Sequence, residues 1–381
     1  MTAEHRIRIQ ATGLLLVVRH NKRSVIGINA RWAGQRIHCR DRPKWPIMAS
    51  GCGQPGIGVG TWAWGNQFLW GYQPDRDDAI LWTTFRRCLD QGLTFFDTAD
   101  SYGTGQLNGR SEALLGRFAM AAPAMERERL CIATKLAPFP WRLGRNGYSR
   151  AFAASQERLQ GQMKRVQLHW STARYAPWQE GPLVDGLADL VRRGAVQSLG
   201  VSNVGPKRLR QLHQRLADQG VALSSLQVQL SLLAPQALEP GGTAEVCREL
   251  NIELIAYSPL ALGLLSRSSA AFEGSTSTAA SRPLTGARRS LFARLEPQVE
   301  GLRQTMANIG TGRPGGLAAV ALNWCRAHGA MPIPGLRSSD QVDAAAQALS
   351  WTLSDNERSA LDQLVQAADA ARMPANPFQS A

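Results

Sequence analysis

The stretch Val196-Gln197-Ser198-Leu199-Gly200-Val201-Ser202-Asn203, running on through Pro206 to Leu209, Leu212 and Leu216, decides the fold. Val196 to Val201 is a short, mostly apolar run, which suits a buried strand. It ends in the polar pair Ser202-Asn203. Pro206 then opens a helix, at a position where proline's missing N–H costs nothing. The three leucines give that helix one apolar stripe. Strand, polar turn and amphipathic helix together make one βα unit.

The unit repeats in both directions. Upstream, strands are expected at Ile57 to Gly60, Thr94 to Phe96, Leu130 to Ala133 and Val166 to Leu168. Downstream they are expected at Leu226 to Val228, Ile252 to Ala256 and Met331 to Ile333. Helical spacing links them around Leu81 to Leu89, Glu112 to Met120, 150–160, Leu183 to Val191 and Ala318 to Trp324. Eight strands alternating with helices predict an α/β chain folded as a parallel (β/α)8 TIM barrel. A doubly wound sheet is the alternative. It lacks its fingerprint, because no G-x-G-x-x-G follows the first strand and opens a helix. A long loop, 266–290, follows strand seven and reads either as a lid or as a surface insertion.

The chain has 381 residues, and 43 Lys and Arg against 29 Asp and Glu give a net charge of +14. The apolar share of 44% excludes a disordered chain. No apolar run reaches the ~18–20 residues of a membrane helix. Six scattered cysteines, none in a C-x-x-C pair, argue against a zinc site or a disulfide framework. No metal is expected. The charge is uneven. Residues 1–50 carry ten basic side chains and two acids, while the other 331 residues carry 33 and 27. We therefore divide the chain into a basic N-terminal extension, 1–50, expected to be disordered, and a barrel, 51–381. The extension is open to three readings: a tail, a targeting segment, or a nucleic-acid arm. Nucleic acid is not the expected partner, since only Trp32 and Trp45 interleave the charges. The expected compartment is the cytoplasm, or the plastid stroma if 1–50 is a transit peptide.

In a barrel the chemistry lies just past the C-terminal ends of the strands. Those positions hold Asp97 and Tyr102 after strand two, Lys135 after strand three and His169 after strand four. A tyrosine beside a lysine has its phenol pulled toward ionisation, and an aspartate would hold that lysine by a charge-assisted bond. Such a tyrosine can give a proton to a carbonyl oxygen, which the histidine could orient. The set contains no nucleophile with a base and no metal cluster. A hydride from a nicotinamide is what it lacks.

These residues sit in motifs that resemble the aldo-keto reductases from about Gly56 to about residue 365. The motifs are Gly92 to Gly103 with Ser111-Glu112-Ala113-Leu114-Leu115-Gly116, Ala133-Thr134-Lys135, Gln167-Leu168-His169-Trp170, Gly200 to Asn203, Ala256 to Leu260 and Ile333-Pro334-Gly335. The resemblance implies reduction of an aldehyde or ketone to an alcohol with NADPH, and a catalytic tetrad of Asp97, Tyr102, Lys135 and His169. It implies that Gly60, Thr61 and Trp62 border the cofactor. Ser202, Asn203 and Gln227 would hold the carboxamide, and Tyr257 would stack on the nicotinamide. Ser258, Pro259 and Leu260 would take the pyrophosphate, and Arg337, Ser338 and Gln341 the 2′-phosphate. Ser338 and Gln341 also look like a capping box, and helix N-termini favour phosphate. Ala344 and Ala345 depart from the family's Glu-Asn pair, so weaker adenine contacts are expected. Pro140 to Leu143 and Gln167 to Pro177 look like the plastid pyridoxal reductase branch of plants. Trp64, Trp141 and Trp170, with Trp62, would then wall a pocket for an aromatic aldehyde, unless they only pack the core. A non-catalytic NADP-binding subunit of the same fold is the alternative function. Oligomeric state is not readable from the sequence.

Overall fold

The computed structural model describes residues 56–267, 286–367, 372–374 and 380. The basic extension therefore lies outside the described residues, as does 268–285 of the loop after strand seven. Eight parallel strands pair in sequence order: β1 (Val59–Gly60), β2 (Phe95–Asp97), β3 (Cys131–Leu136), β4 (Met163–Leu168), β5 (Ser198–Ser202), β6 (Leu223–Gln229), β7 (Glu253–Tyr257) and β8 (Ala330–Ile333). The ring closes where Gly58 and Gly60 donate to the carbonyls of Pro332 and Pro334, at 3.0 and 2.9 Å. A parallel bridge from Gly60 to Gly335 completes it. The expected TIM barrel is borne out.

Each strand's neighbours explain its burial. Outward side chains such as Phe96, Ile132, Val166, Val201 and Leu226 meet the apolar stripes of the surrounding helices in one continuous core. The Pro206–Ala217 helix contributes Leu209, Leu212 and Leu216, all buried, as its spacing required. A smaller inner cluster of Phe95, Cys131, Ala133, Ile255, Met331 and Ile333 plugs the barrel. Above it the inward positions turn polar: Asp97, Lys135, Gln167, Ser202 and Gln227 are all buried. Strand period two thus sends apolar residues to the helices and reactive ones to the barrel interior.

Two elements differ from the expectation. The strand expected at Val166 to Leu168 begins earlier, at Met163, and its Arg165 is completely buried. Arg165 Nη1 meets Glu253 at 2.8 Å, Nε donates to Ser198 Oγ at 3.1 Å, and the guanidinium lies over the Phe95 ring. Paired in this way, an arginine can occupy an interior position. The stretch after strand seven is also shorter than expected, because a helix already runs from Gly286 to Gly310. Pro297 lies inside that helix.

Candidate active site

The C-terminal ends of the strands open into a cavity of about 740 Å³. β2 ends in Asp97, and the chain then turns to place Tyr102. Gly103 makes that turn possible, with φ at 121°. A Cβ there would lie 1.8 Å from the Leu107 carbonyl oxygen, so only glycine fits. Lys135, near the end of β3, points into the same space. Its Nζ donates to Asp97 Oδ1, to the Thr98 carbonyl at 3.0 Å and to Tyr102 Oη at 3.1 Å. Lys135 and Asp97 are almost entirely shielded from solvent. His169 follows β4 and meets the Tyr102 ring nearly edge-on, with centroids 5.7 Å apart. Its Nδ1 lies 3.4 Å from Ser101 Oγ.

The electrostatics follow from this packing. Burial pushes the Tyr102 phenol above its ordinary value, and Lys135 opposes that rise without cancelling it. The lysine pulls in the expected direction, but desolvation wins, so Tyr102 holds its proton at neutral pH. Burial pushes Lys135 down, yet Asp97 and Tyr102 outweigh it, and the ammonium ends above its usual value. Burial, then Lys135 and Arg142, hold His169 well below the usual histidine range, so its ring is neutral. The arrangement is a protonated phenol, a fixed cation and a neutral imidazole around one opening.

Most of the other expected residues line the cavity, and two do not. Gly60, Thr61, Trp62, Trp170, Ser202, Asn203, Gln227, Tyr257, Ser258, Pro259, Leu260, Arg337, Ser338 and Gln341 all line the cavity. Asn203 and Ser258 take left-handed backbone angles, φ 58° and 52°. Such strain in non-glycine residues gathers at functional sites. Asn203 Nδ2 donates to the His169 carbonyl and Ser202 Oγ, both at 3.1 Å, and its Oδ1 accepts from Tyr257 Oη at 2.9 Å. Gln227 Nε2 donates to Asp97 Oδ2 at 2.8 Å. Ser338 caps the Ser339–Gln347 helix, and Gln341 Oε1 accepts from the Arg337 N–H at 2.8 Å.

Trp64 and Trp141 do not line the cavity. Trp64 is fully buried against Phe96 and Phe118, and its indole N–H donates to the Leu336 carbonyl at 2.9 Å. It is a core residue because its polar edge is satisfied inside. Trp141 is 73% exposed and stacks on Phe139, whose other side meets Trp170 edge-on. It reaches the cavity only through those rings. Sequence reasoning missed Trp70, Ser101 and Arg267, which do line it. Ser101 carried a signal, lying between Asp97 and Tyr102 at a strand end. Trp70 and Arg267 carried none: Trp70 ends a short helix, Gln67–Trp70, and Arg267 follows β7 by ten residues, so only the closed barrel brings them near.

The chain matches the model of the aldo/keto reductase family over residues 56–366. It is 44% identical over 309 residues to the chloroplastic pyridoxal reductase of Arabidopsis thaliana, covering 80% of this chain and 82% of that one. Among solved structures, an aldo/keto reductase from Klebsiella pneumoniae in complex with NADP and acetate superposes with a TM-score of 0.60 at 25% identity, over 86% of this chain and 95% of that one. A glycerol dehydrogenase from Gluconobacter oxydans gives 0.65 at 22% identity, over the same shares, and supports the fold alone. With its barrel, its strand-end residues and a match spanning most of its length, the chain belongs to the aldo/keto reductase family.

Proposed function

We propose that this oxidoreductase uses NADPH to reduce an aldehyde to an alcohol, with Tyr102 as the proton donor and pyridoxal as a substrate. The observation that carries the reading is the contact between Lys135 and Tyr102 Oη at the cavity floor, with Asp97 behind the lysine. The pyridoxal assignment draws on the Arabidopsis relative and on the aromatic walls supplied by Trp62, Trp70 and Trp170.

The residues present fit a phosphorylated nicotinamide dinucleotide. The cavity they line includes both Tyr102 and the N-terminus of the Ser339–Gln347 helix. At that end Arg337 would pair with the 2′-phosphate, beside a helix start that favours anions. Ser258 to Leu260 would take the pyrophosphate. Tyr257 would cover the nicotinamide face, and Ser202 with the Gln227 carbonyl oxygen would meet its carboxamide. When bound, the nicotinamide supplies a hydride.

The chain's own task is the proton. Tyr102 stays protonated in the buried floor and donates from Oη as negative charge grows on the carbonyl oxygen. Lys135 stabilises the phenolate that remains. Asp97 keeps Lys135 in place, since a free ammonium at this depth would be costly. His169, neutral, can donate one hydrogen bond to the same oxygen and aim the carbonyl. General acid catalysis of this type contributes roughly 10²–10⁴-fold. The test is NADPH oxidation by the purified protein in the presence of pyridoxal and of simple aromatic aldehydes. Turnover is expected. Tight NADPH binding without turnover on any aldehyde would instead favour a cofactor-binding subunit.

A further inference from the structure

The floor beneath Asp97 is made of amides. Gln167 on β4 is fully buried, and its Nε2 donates to Asp97 Oδ2 at 3.0 Å. Gln227 on β6 donates to the same oxygen at 2.8 Å. The other oxygen, Oδ1, accepts from Lys135. One side of the carboxylate therefore faces a cation and the other faces two neutral donors. The orientation of the Gln167 amide is settled by charge, because turning it over would set a carbonyl against a carboxylate. Held this way, its Oε1 is buried with no partner among the described residues. Ser225 Oγ is likewise buried and unpartnered. Gly200 lies between them: a Cβ there would come within 2.3 Å of Ser225 Oγ and 3.1 Å of Gln167 Cγ.

A buried glutamine that leaves an acceptor without a protein partner is unusual in a barrel interior, and such a group calls for an explanation. Methionine or leucine would fill the space on β4 without that orphan. We propose that Gln167 is a positioning residue for the reduction: it fixes the Asp97 carboxylate so that Oδ1 meets Lys135 and Lys135 meets Tyr102. The proposal rests on the reading of Tyr102 as proton donor. Gln167 touches neither the opening nor the reacting atoms, and the cavity lining does not include it. Lys135 and Tyr102 are the titratable groups facing Asp97 from above, with His169 beyond the tyrosine ring. Gln167 and Gln227 hold its other oxygen.

Gln167→Met keeps the length and volume of the side chain and removes both the donor and the orphaned acceptor. We expect kcat to fall by about tenfold or more, the range set by losing one hydrogen bond to a charged group. The KM for NADPH should not change. Melting of the protein without cofactor should be unchanged or shifted upward. Gln167→Leu serves the same purpose if the methionine variant does not fold. Ser225→Ala removes the neighbouring orphan alone and should leave kcat and KM as they are. An unaltered kcat in Gln167→Met, a rise in the KM for NADPH equal to the fall in kcat, or a loss of rate that merely follows a fall in melting temperature, would overturn the proposal. Tyr102→Phe is measured alongside. If it turns over normally, the proton-donor reading itself has failed, whereas an inactive Tyr102→Phe beside an unaffected Gln167→Met rejects only the role of Gln167.

Discussion

Lys135→Met removes the charge that touches Tyr102 while keeping most of the side chain's apolar stem. Lys135 and Asp97 are 1% and 2% exposed, so solvent screens their attraction little. Breaking a buried pair by deleting one partner costs about 3–5 kcal/mol, because the other charge is left behind. Asp97 keeps the amides of Gln167 and Gln227 at 3.0 and 2.8 Å, which places the cost near the lower end. At about 2 °C per kcal/mol for a large domain, the melting temperature should drop by roughly 6 °C. The raised value of Lys135 gives the sign of the pH dependence. Its contribution is complete below the ordinary lysine pKa and is lost only as pH rises through the higher folded value. The stability gap between parent and variant should therefore be flat across neutral pH. On the chemistry, Tyr102 loses a charge-assisted bond of 3.1 Å, worth about 1.5–3 kcal/mol. That converts to a fall in kcat of about 10- to 150-fold. The assay is the loss of NADPH absorbance with an aromatic aldehyde, run beside a thermal melt. A variant that melts lower yet keeps kcat within about a factor of two would refute the reasoning, since the charge would then serve the fold alone.

Three further outcomes are expected. Trp170→Ala should raise the KM for aromatic aldehydes by about tenfold, the effect of losing one to two kcal/mol of aromatic contact, whereas Trp141→Ala, exposed and outside the cavity, should change it little; steady-state kinetics on both variants decide. Arg337→Ala should weaken NADPH binding by about 10- to 150-fold, as loss of a charge-assisted phosphate contact would, and leave NADH affinity nearly unchanged, as read by titration of each cofactor. His169 is held well below the usual histidine range by burial, Lys135 and Arg142. The unfolded chain therefore takes up a proton first as pH falls below about 6.5, and stability should decline from there downward. His169→Gln should flatten that decline in melts recorded across the acid range.

The barrel, and the meeting of Asp97, Tyr102, Lys135 and His169 at one opening, were legible because both follow from local pattern. A short apolar run, a polar end and a leucine stripe are enough to mark a βα unit, and Asp97, Lys135 and His169 all lie at the ends of such runs. Sequence could not say which way a tryptophan points. Trp64 is two residues from Trp62, yet one is core and the other borders the cavity. Burial of Arg165 was likewise hidden, because its partners Glu253 and Ser198 come from other strands and meet only in register. The balance at Tyr102 was misjudged for a related reason: the lysine's pull is visible in sequence, while the depth of burial that overrides it is not. The role of Gln167 is not legible in sequence, since its bond to Asp97 crosses from β4 to β2 through the barrel interior.

The most direct measurement is single-turnover reduction of pyridoxal by Tyr102→Phe with NADPH bound. The substitution keeps the ring that faces His169 at 5.7 Å and removes only the hydroxyl that Lys135 holds. With Tyr102 as the proton donor, NADPH affinity should be unchanged and the rate lower by about 10²–10⁴-fold. Turnover at the parent's rate would contradict that role, because the proton would then have to come from another group.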